Sequence, residues 1–225
     1  LRLIAVTHRG HGDSDKPDGS YRVDAFVADL ADLFDRLRIK QAVVVGHSMG
    51  SLIAQRFALD HRERVRALVL IGAFASLKDN PAVHDLWDQV VSELQDPVPV
   101  ELVREFQEST LAGPVPDAFL EAVIAESLKV PARVWRSILQ ALLTDDFSHE
   151  LRKITAPTLI VWGDRDDFCS EAEQHLLTRA IRGSRLIAMP GIGHSPHWEE
   201  PRRVAEILGA FVETLGAPAS TTARA

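Results

Sequence analysis

Cysteine is nearly absent from this chain: of 225 residues only Cys169 carries a thiol, so no disulfide can close within it. A lone thiol suits a reducing compartment, and the location it points to is cytoplasmic. An excess of positive charge is absent as well, with 25 Lys and Arg against 32 Asp and Glu and a formal charge of −7. A phosphate backbone needs a basic face, so no nucleic acid partner is expected. Long apolar runs are also missing. The longest, Ala67 to Ala75, contains Gly72 and falls far short of the roughly 20 residues that cross a bilayer, so no membrane span is expected. No signal peptide is visible, and the chain opens on Leu1 rather than methionine, which leaves room for a lost leader.

What is present is ordinary for a globular protein. Hydrophobic residues make up 46% and charged residues 25%, enough for one large domain or a core with an insertion. The short apolar run Leu1 to Val6 is expected to be a strand. Thr7 to Pro17 follows as a glycine-rich loop. Val23, Phe26, Val27, Leu30, Leu33, Phe34 and Leu37 recur at helical spacing, with aspartates mainly on the other face. Gln41–Val45 and Val65–Ile71 read as strands around a helix at Ser51–Leu59. Short unbroken apolar strands alternating with helices indicate an α/β fold, a mostly parallel sheet with helices on both faces.

That rhythm breaks after Phe74. From Leu77 to Leu151 only helical patterns appear, cut by prolines, with helices expected over Glu101–Leu111, Asp117–Leu128 and Trp135–Leu143. Strand rhythm resumes at Pro157–Trp162, a capping box at Ser170–Glu173 opens a helix, and Arg185–Met189 and Arg202–Leu215 close the pattern. The expected organisation is a sheet core over 1–76 and 152–216, an inserted helical cap over 77–151, and a disordered tail over 217–225.

The strongest chemical signal is Gly46-His47-Ser48-Met49-Gly50, a G-x-S-x-G between a strand and a helix. A serine on such a bend sits in a strained turn, so residues two positions away must be small. The bend lifts Oγ off the sheet's carboxyl edge, and the next helix aims its N–H groups at a developing oxyanion. The Met49 backbone N–H is the first candidate donor. A serine also needs a base, and the base an orienting carboxylate. Asp164, Asp166 and Asp167 follow the Pro157–Trp162 strand, and nine histidines compete for the base. His194, in a glycine-punctuated loop after Arg185–Met189, can swing over the serine; His197 is its rival. Near the N-terminus His8, His11, Asp13 and Asp15 lack a fixed ligand spacing, so no metal is expected there.

With these residues in view, the chain resembles the α/β-hydrolase superfamily over Leu1 to about Leu215. The resemblance rests on His8-Arg-Gly-His-Gly-Asp-Ser14, Gly46-His-Ser-Met-Gly50, Trp162-Gly-Asp-Arg-Asp166 and Gly193-His194. It implies a lid-bearing serine hydrolase with the triad Ser48, Asp166 and His194, and it selects Asp166 as the acid and His194 as the base. Cys169 sits where the family often has an apolar or proline residue and is discounted as a nucleophile. Phe74, Trp135 and Trp198 are the candidate substrate contacts, because a lid must roof an apolar pocket.

The resemblance also implies an earlier strand ending in a glycine-rich turn, the source of the second oxyanion N–H. The sequence holds no counterpart, so a fragment or truncated chain is expected. The leading function is cleavage of a carboxylic ester, lactone or thioester of a small, largely apolar molecule through an acyl-enzyme, with no cofactor. Carbon–carbon bond hydrolysis, which Ser195 after the histidine weakens, and cofactor-free perhydrolysis use the same triad. A non-catalytic binding protein or inert fragment is the alternative outside catalysis. The expected partner is a small-molecule substrate, with a homodimer left open.

Overall fold

The computed structural model describes residues 2–216. The tail expected at 217–225 lies outside the described residues, as does Leu1. In chain order the elements are α1 (Val23–Arg36), β1 (Ala42–His47), α2 (Met49–Asp60), β2 (Val65–Ile71), α3 (Pro81–Leu86), α4 (Val100–Ser109), α5 (Asp117–Ser127), α6 (Ala132–Thr144), β3 (Thr158–Gly163), α7 (Glu171–Ala180), β4 (Arg185–Met189), α8 (Pro196–Glu199) and α9 (Pro201–Thr214). The four strands form one sheet in the order β1-β2-β3-β4. Every pairing is parallel, so each connection must cross over the sheet, and the helices cover its faces.

Alternation along the strands sorts the core into two layers. Val44, Leu68, Leu70, Ile160 and Trp162 point to one face and pack with Phe26 and Phe34 of α1, Leu52, Ile53 and Phe57 of α2, and Leu177 of α7. Ala67, Val69, Ile71, Leu159 and Val161 point to the other and meet Val204 and Phe211 of α9. A strand buried on both faces cannot show an apolar–polar alternation, which is why Ala67–Ile71 of β2 and Leu159–Trp162 of β3 read as unbroken apolar runs.

One expected strand is absent. Residues 2–6 form no strand; Leu3 is 89% exposed, and Ile4 and Val6 are also exposed. An apolar run becomes a strand only when a neighbouring edge takes its N–H and C=O groups. Here a groove of about 610 Å³, lined by residues 2–6 on one side and Val43, Val44 and Val45 of β1 on the other, separates it from the sheet.

Between β2 and β3 the elements are all helical. Leu94, Val98, Val103, Ile124 and Ala132 give this insertion its own small core. It is tied by polar contacts to the start of α1 and the chain before it. Asp145 accepts from the Val23 N–H at 3.0 Å and pairs with Arg22. Lys129 reaches Asp13 at 2.8 Å, and Arg133 reaches the Pro17 carbonyl at 3.0 Å. Asn80, whose side chain accepts from Val83 N–H at 3.1 Å, caps α3.

Candidate active site

Ser48 stands between the end of β1 and the start of α2. Its φ of 51° and ψ of −123° lie in a region that non-glycine residues rarely occupy, at a cost of about 1–3 kcal/mol that the surrounding fold must hold. The Ser48 N–H donates to the Ile71 carbonyl of β2 at 3.0 Å, and the Ser48 carbonyl accepts from Ser51 N–H at 2.8 Å. Gly46 makes the bend sterically feasible, because a Cβ there would lie 2.5 Å from the Gly50 carbonyl carbon. At Gly50 a Cβ would meet nothing within 4 Å. The steric demand expected at both glycines therefore falls on Gly46. Met49 opens α2, so its N–H belongs to the first turn, whose donors have no intrahelical acceptor.

Asp166 and His194 meet on the loops after β3 and β4. His194 Nδ1 lies 2.8 Å from Asp166 Oδ2, with both side chains buried. The other oxygen, Asp166 Oδ1, accepts from the Phe168 and Cys169 N–H groups at 2.8 and 2.9 Å. Two backbone donors thus fix the carboxylate, and the carboxylate fixes the proton on Nδ1. His194 Nε2 is left as the nitrogen for chemistry.

The other aspartates of that loop act differently. Asp164 Oδ1 accepts from Gly191 N–H at 2.6 Å and so ties the two loops together. Asp167 is exposed.

The loop contact is close elsewhere too. The Arg165 N–H donates to Ile192 O at 2.9 Å, and a Cβ on Gly163 would lie 2.6 Å from the Ile192 carbonyl carbon.

The rival histidines are accounted for by their contacts. His47 Nε2 sits 2.9 Å from the His194 carbonyl oxygen. A carbonyl can only accept, so Nε2 carries the proton. Burial first, then His197 and His194, push the His47 pKa well below the ordinary imidazole value. His47 is therefore a neutral donor that ties the end of β1 to the backbone of His194. His197 packs its ring 4.4 Å from that of His47, and burial lowers its pKa to about 4. Among the described residues Ser48 Oγ makes no hydrogen bond to His194. Such contacts are often long without substrate and tighten when it binds.

Ser48 and Met49 open onto a cavity of about 660 Å³. Trp135, Trp198, Phe106 and Leu86 line it among other apolar groups, and residues Thr7, His8 and His11 form part of its wall. Burial holds the His8 pKa down to about 4 and also lowers that of His11. Trp135 Nε1 is buried there with no hydrogen-bond partner. Phe74 is placed elsewhere. It is 2% exposed, does not line the cavity, and packs its ring 5.8 Å from that of His194.

Cys169 is buried, with Sγ 3.8 Å from His194 Nδ1. Burial, followed by the Asp166 and Glu173 charges, pushes its thiol up and away from the nucleophilic thiolate. Asp166, Cys169 and His194 are the one group among the described residues whose metal-ligating atoms lie within 4.8 Å of each other. Their contacts are already those of a hydrogen-bonded Asp–His pair. His8, His11, Asp13 and Asp15 do not gather: His11 Nδ1 sits on Arg9 O at 3.0 Å, and Asp13 pairs with Lys129.

A parallel sheet with a strained serine at a strand–helix bend, and an Asp–His pair on later loops at the same edge, is the arrangement of the α/β-hydrolases. The family model described as serine aminopeptidase, S33, matches residues 1–201, and the chain belongs to that family. A putative non-heme chloroperoxidase from Synechocystis sp. is 29% identical, over 94% of this chain and 81% of the relative. A 3-oxoadipate enol-lactonase 2 from Acinetobacter baylyi is 28% identical, over 94% and 78%. Among solved structures, an esterase from Exiguobacterium antarcticum superposes with a TM-score of 0.82 at 25% identity, covering 92% of this chain and 79% of that one. The chain is thus a hydrolase of the α/β class.

Proposed function

We propose that this protein is a serine hydrolase that cleaves a carboxylic ester, or the related lactone or thioester, of a small, uncharged and largely apolar substrate. The observation that carries it is the buried Asp166–His194 hydrogen bond of 2.8 Å, on a loop whose His194 carbonyl is bonded by His47, the residue before a serine held at positive φ. Asp166 holds the Nδ1 proton, so His194 Nε2 takes the proton of Ser48 Oγ as that oxygen attacks the carbonyl carbon. The Met49 N–H faces the resulting oxyanion. As the tetrahedral species collapses, the bond to the leaving oxygen breaks and that oxygen takes the proton from Nε2. Water then attacks the acyl-enzyme, gives a proton to Nε2, and Ser48 leaves with it.

The helices of the 77–151 insertion act as the lid, with Trp135 and Trp198 as substrate contacts. Neither Lys nor Arg lines the cavity among the described residues, and Glu126 does. A carboxylate-bearing acyl group would enter without a counter-charge, which favours neutral acyl groups. The lactonase and esterase among the relatives support the bond type.

The test is turnover of short p-nitrophenyl esters by the wild type and by Ser48→Ala. The variant is expected to lose on the order of 10⁴–10⁶ in kcat, and p-nitrophenyl butyrate to outpace the equally long p-nitrophenyl hemisuccinate by at least tenfold. Equal turnover by wild type and Ser48→Ala would sink the proposal.

A further inference from the structure

The residues on either side of His194 are bound to the helical insertion, and no step of the hydrolysis uses those bonds. The link runs through the connection between α4 and α5. On one side of His194, the Ser195 N–H donates to the Thr110 carbonyl at 3.1 Å, and Ser195 Oγ donates to Thr110 Oγ1 at 3.3 Å. Thr110 is itself held, because its hydroxyl donates to the Gln107 carbonyl at 2.7 Å. Ser195 and Thr110 are both buried. On the other side of His194, the Gly193 N–H donates to Glu199 Oε1 at 2.8 Å. The second oxygen of the same carboxylate, Oε2, accepts from Gly113 N–H at 2.7 Å and Ala112 N–H at 3.2 Å.

The two loops touch because Gly193 has no side chain. A Cβ there would lie 2.6 Å from Ala112 N and 2.9 Å from Thr110 O. Glu199 thus bridges three backbone donors from two loops, each directed at a carboxylate oxygen. Charge-assisted bonds of this kind are stronger than neutral ones. They hold the backbone that carries the imidazole, while Asp166 holds the imidazole itself.

We infer that Glu199 is a positioning residue that couples the 110–113 loop of the insertion to His194. The inference rests on the reading of His194 as the base. Movement of the insertion over the cavity is then felt at Gly193 and Ser195, so the imidazole is best aligned only when the insertion is docked. A misplacement of the base by an ångström is enough to slow a reaction about 10²-fold.

The test compares Glu199→Gln, Glu199→Asp and the wild type. Glutamine keeps the length, but its NH₂ group must face either the Gly193 donor or the Ala112 and Gly113 donors. It can therefore satisfy only one loop. Aspartate keeps two acceptor oxygens on a shorter arm. With p-nitrophenyl butyrate, Glu199→Gln is expected to lose about 10–100-fold in kcat with KM within threefold. Glu199→Asp should keep more of kcat than Glu199→Gln.

A second readout needs no turnover: the downfield proton resonance of the Asp166–His194 hydrogen bond should shift or broaden in Glu199→Gln. Wild-type kcat with an unmoved resonance overturns the inference. So does a loss of activity that only follows the folded fraction in a thermal melt while the resonance stays in place. If Ser48→Ala turns over like the wild type, the hydrolytic reading fails, and the resonance still decides whether Glu199 positions His194.

Discussion

The two flanks of the sheet are built differently. On the β3–β4 flank the loops interlock: Asp164 holds Gly191, Arg165 holds Ile192, and Asp166 holds His194. On the β1 flank the chain is open. β1 is the edge strand of the described sheet, Val45 is 49% exposed, and residues 2–6 lie across a groove without strand pairing. Ser48 sits between the two, bonded to β2 and aimed into the cavity. Asp166 and His194 thus lie on the flank where the loop backbones are tied to one another. Thr7, His8, His11 and Gly12, which form one wall of the cavity, belong to a loop closed by its own backbone bonds, Gly10 N–H to Asp15 O at 2.8 Å and His11 N–H to His8 O at 3.0 Å.

The hardest test of this difference pairs two glycines. A Cβ on Gly163 would collide with the Ile192 backbone, whereas at Gly19 it would meet nothing within 4 Å. Backbone cannot move aside as a flexible side chain can, so Gly163→Ala must part the 163–166 and 191–194 loops. It is expected to cost about 3 kcal/mol or more and to lower ester turnover by at least about 10²-fold, because the Asp166–His194 pair is carried on those loops. Gly19→Ala is expected to change neither. Urea melts and p-nitrophenyl ester assays on both variants measure this, and equal effects would mean that the 163–166 and 191–194 loops are no more constrained than the open loop at Gly19.

How far the sequence revealed this depends on the range of each interaction. β2 at Val65–Ile71 and β4 at Arg185–Met189 were legible because their apolar runs are bounded by polar or turn residues. The capping box was legible because Ser170 and Glu173 satisfy each other locally. Ser48 announces itself through a bend that needs Gly46 two residues away. The Asp166–His194 pairing came from resemblance, since nothing local in either loop specifies the other.

The failures have the same origin. Leu1 to Val6 has strand composition, but pairing depends on what lies beside it. Phe74 looks the same in sequence whether it faces a cavity or packs behind an imidazole. Glu199 carries no local signal at all: its partners are Gly193, Ala112 and Gly113, and two of those lie in a different part of the chain.

Acid probes the same contrast at smaller amplitude. His8 lies beside the open flank and His197 beside the packed one, and burial lowers each from 6.5 to about 4. Between those values the unfolded chain binds protons that the folded chain refuses, so stability falls as pH drops from about 6.5 to 4. Above and below that window these two groups contribute no slope. With screening allowed for, each histidine is expected to account for about 2 kcal/mol of the fall. Urea melts at pH 7.5, 5.5 and 4.5 should show it, and His8→Asn and His197→Asn should each flatten part of the slope. Titration of His8 near 6.5 by NMR, with His197 still near 4, would mean that the open flank admits water more freely than its static burial indicates. The difference between the flanks would then be larger than the burial of His8 indicates.

The smallest expected effect is at the edge itself. Valine and threonine are nearly isosteric, so exchanging them tests whether a site tolerates a hydroxyl. Val161, in β3, is fully buried between both layers. Val161→Thr puts a polar group where it has no partner and is expected to cost about 1–3 kcal/mol. Val45 is about half exposed on the edge strand and borders the groove. There the hydroxyl stays in water, so Val45→Thr is expected to fall within about 0.5 kcal/mol of the wild type in urea melts. A loss at Val45 as large as that at Val161 would mean that the outer face of β1 is covered in solution, and the flank described as open would be a packed surface.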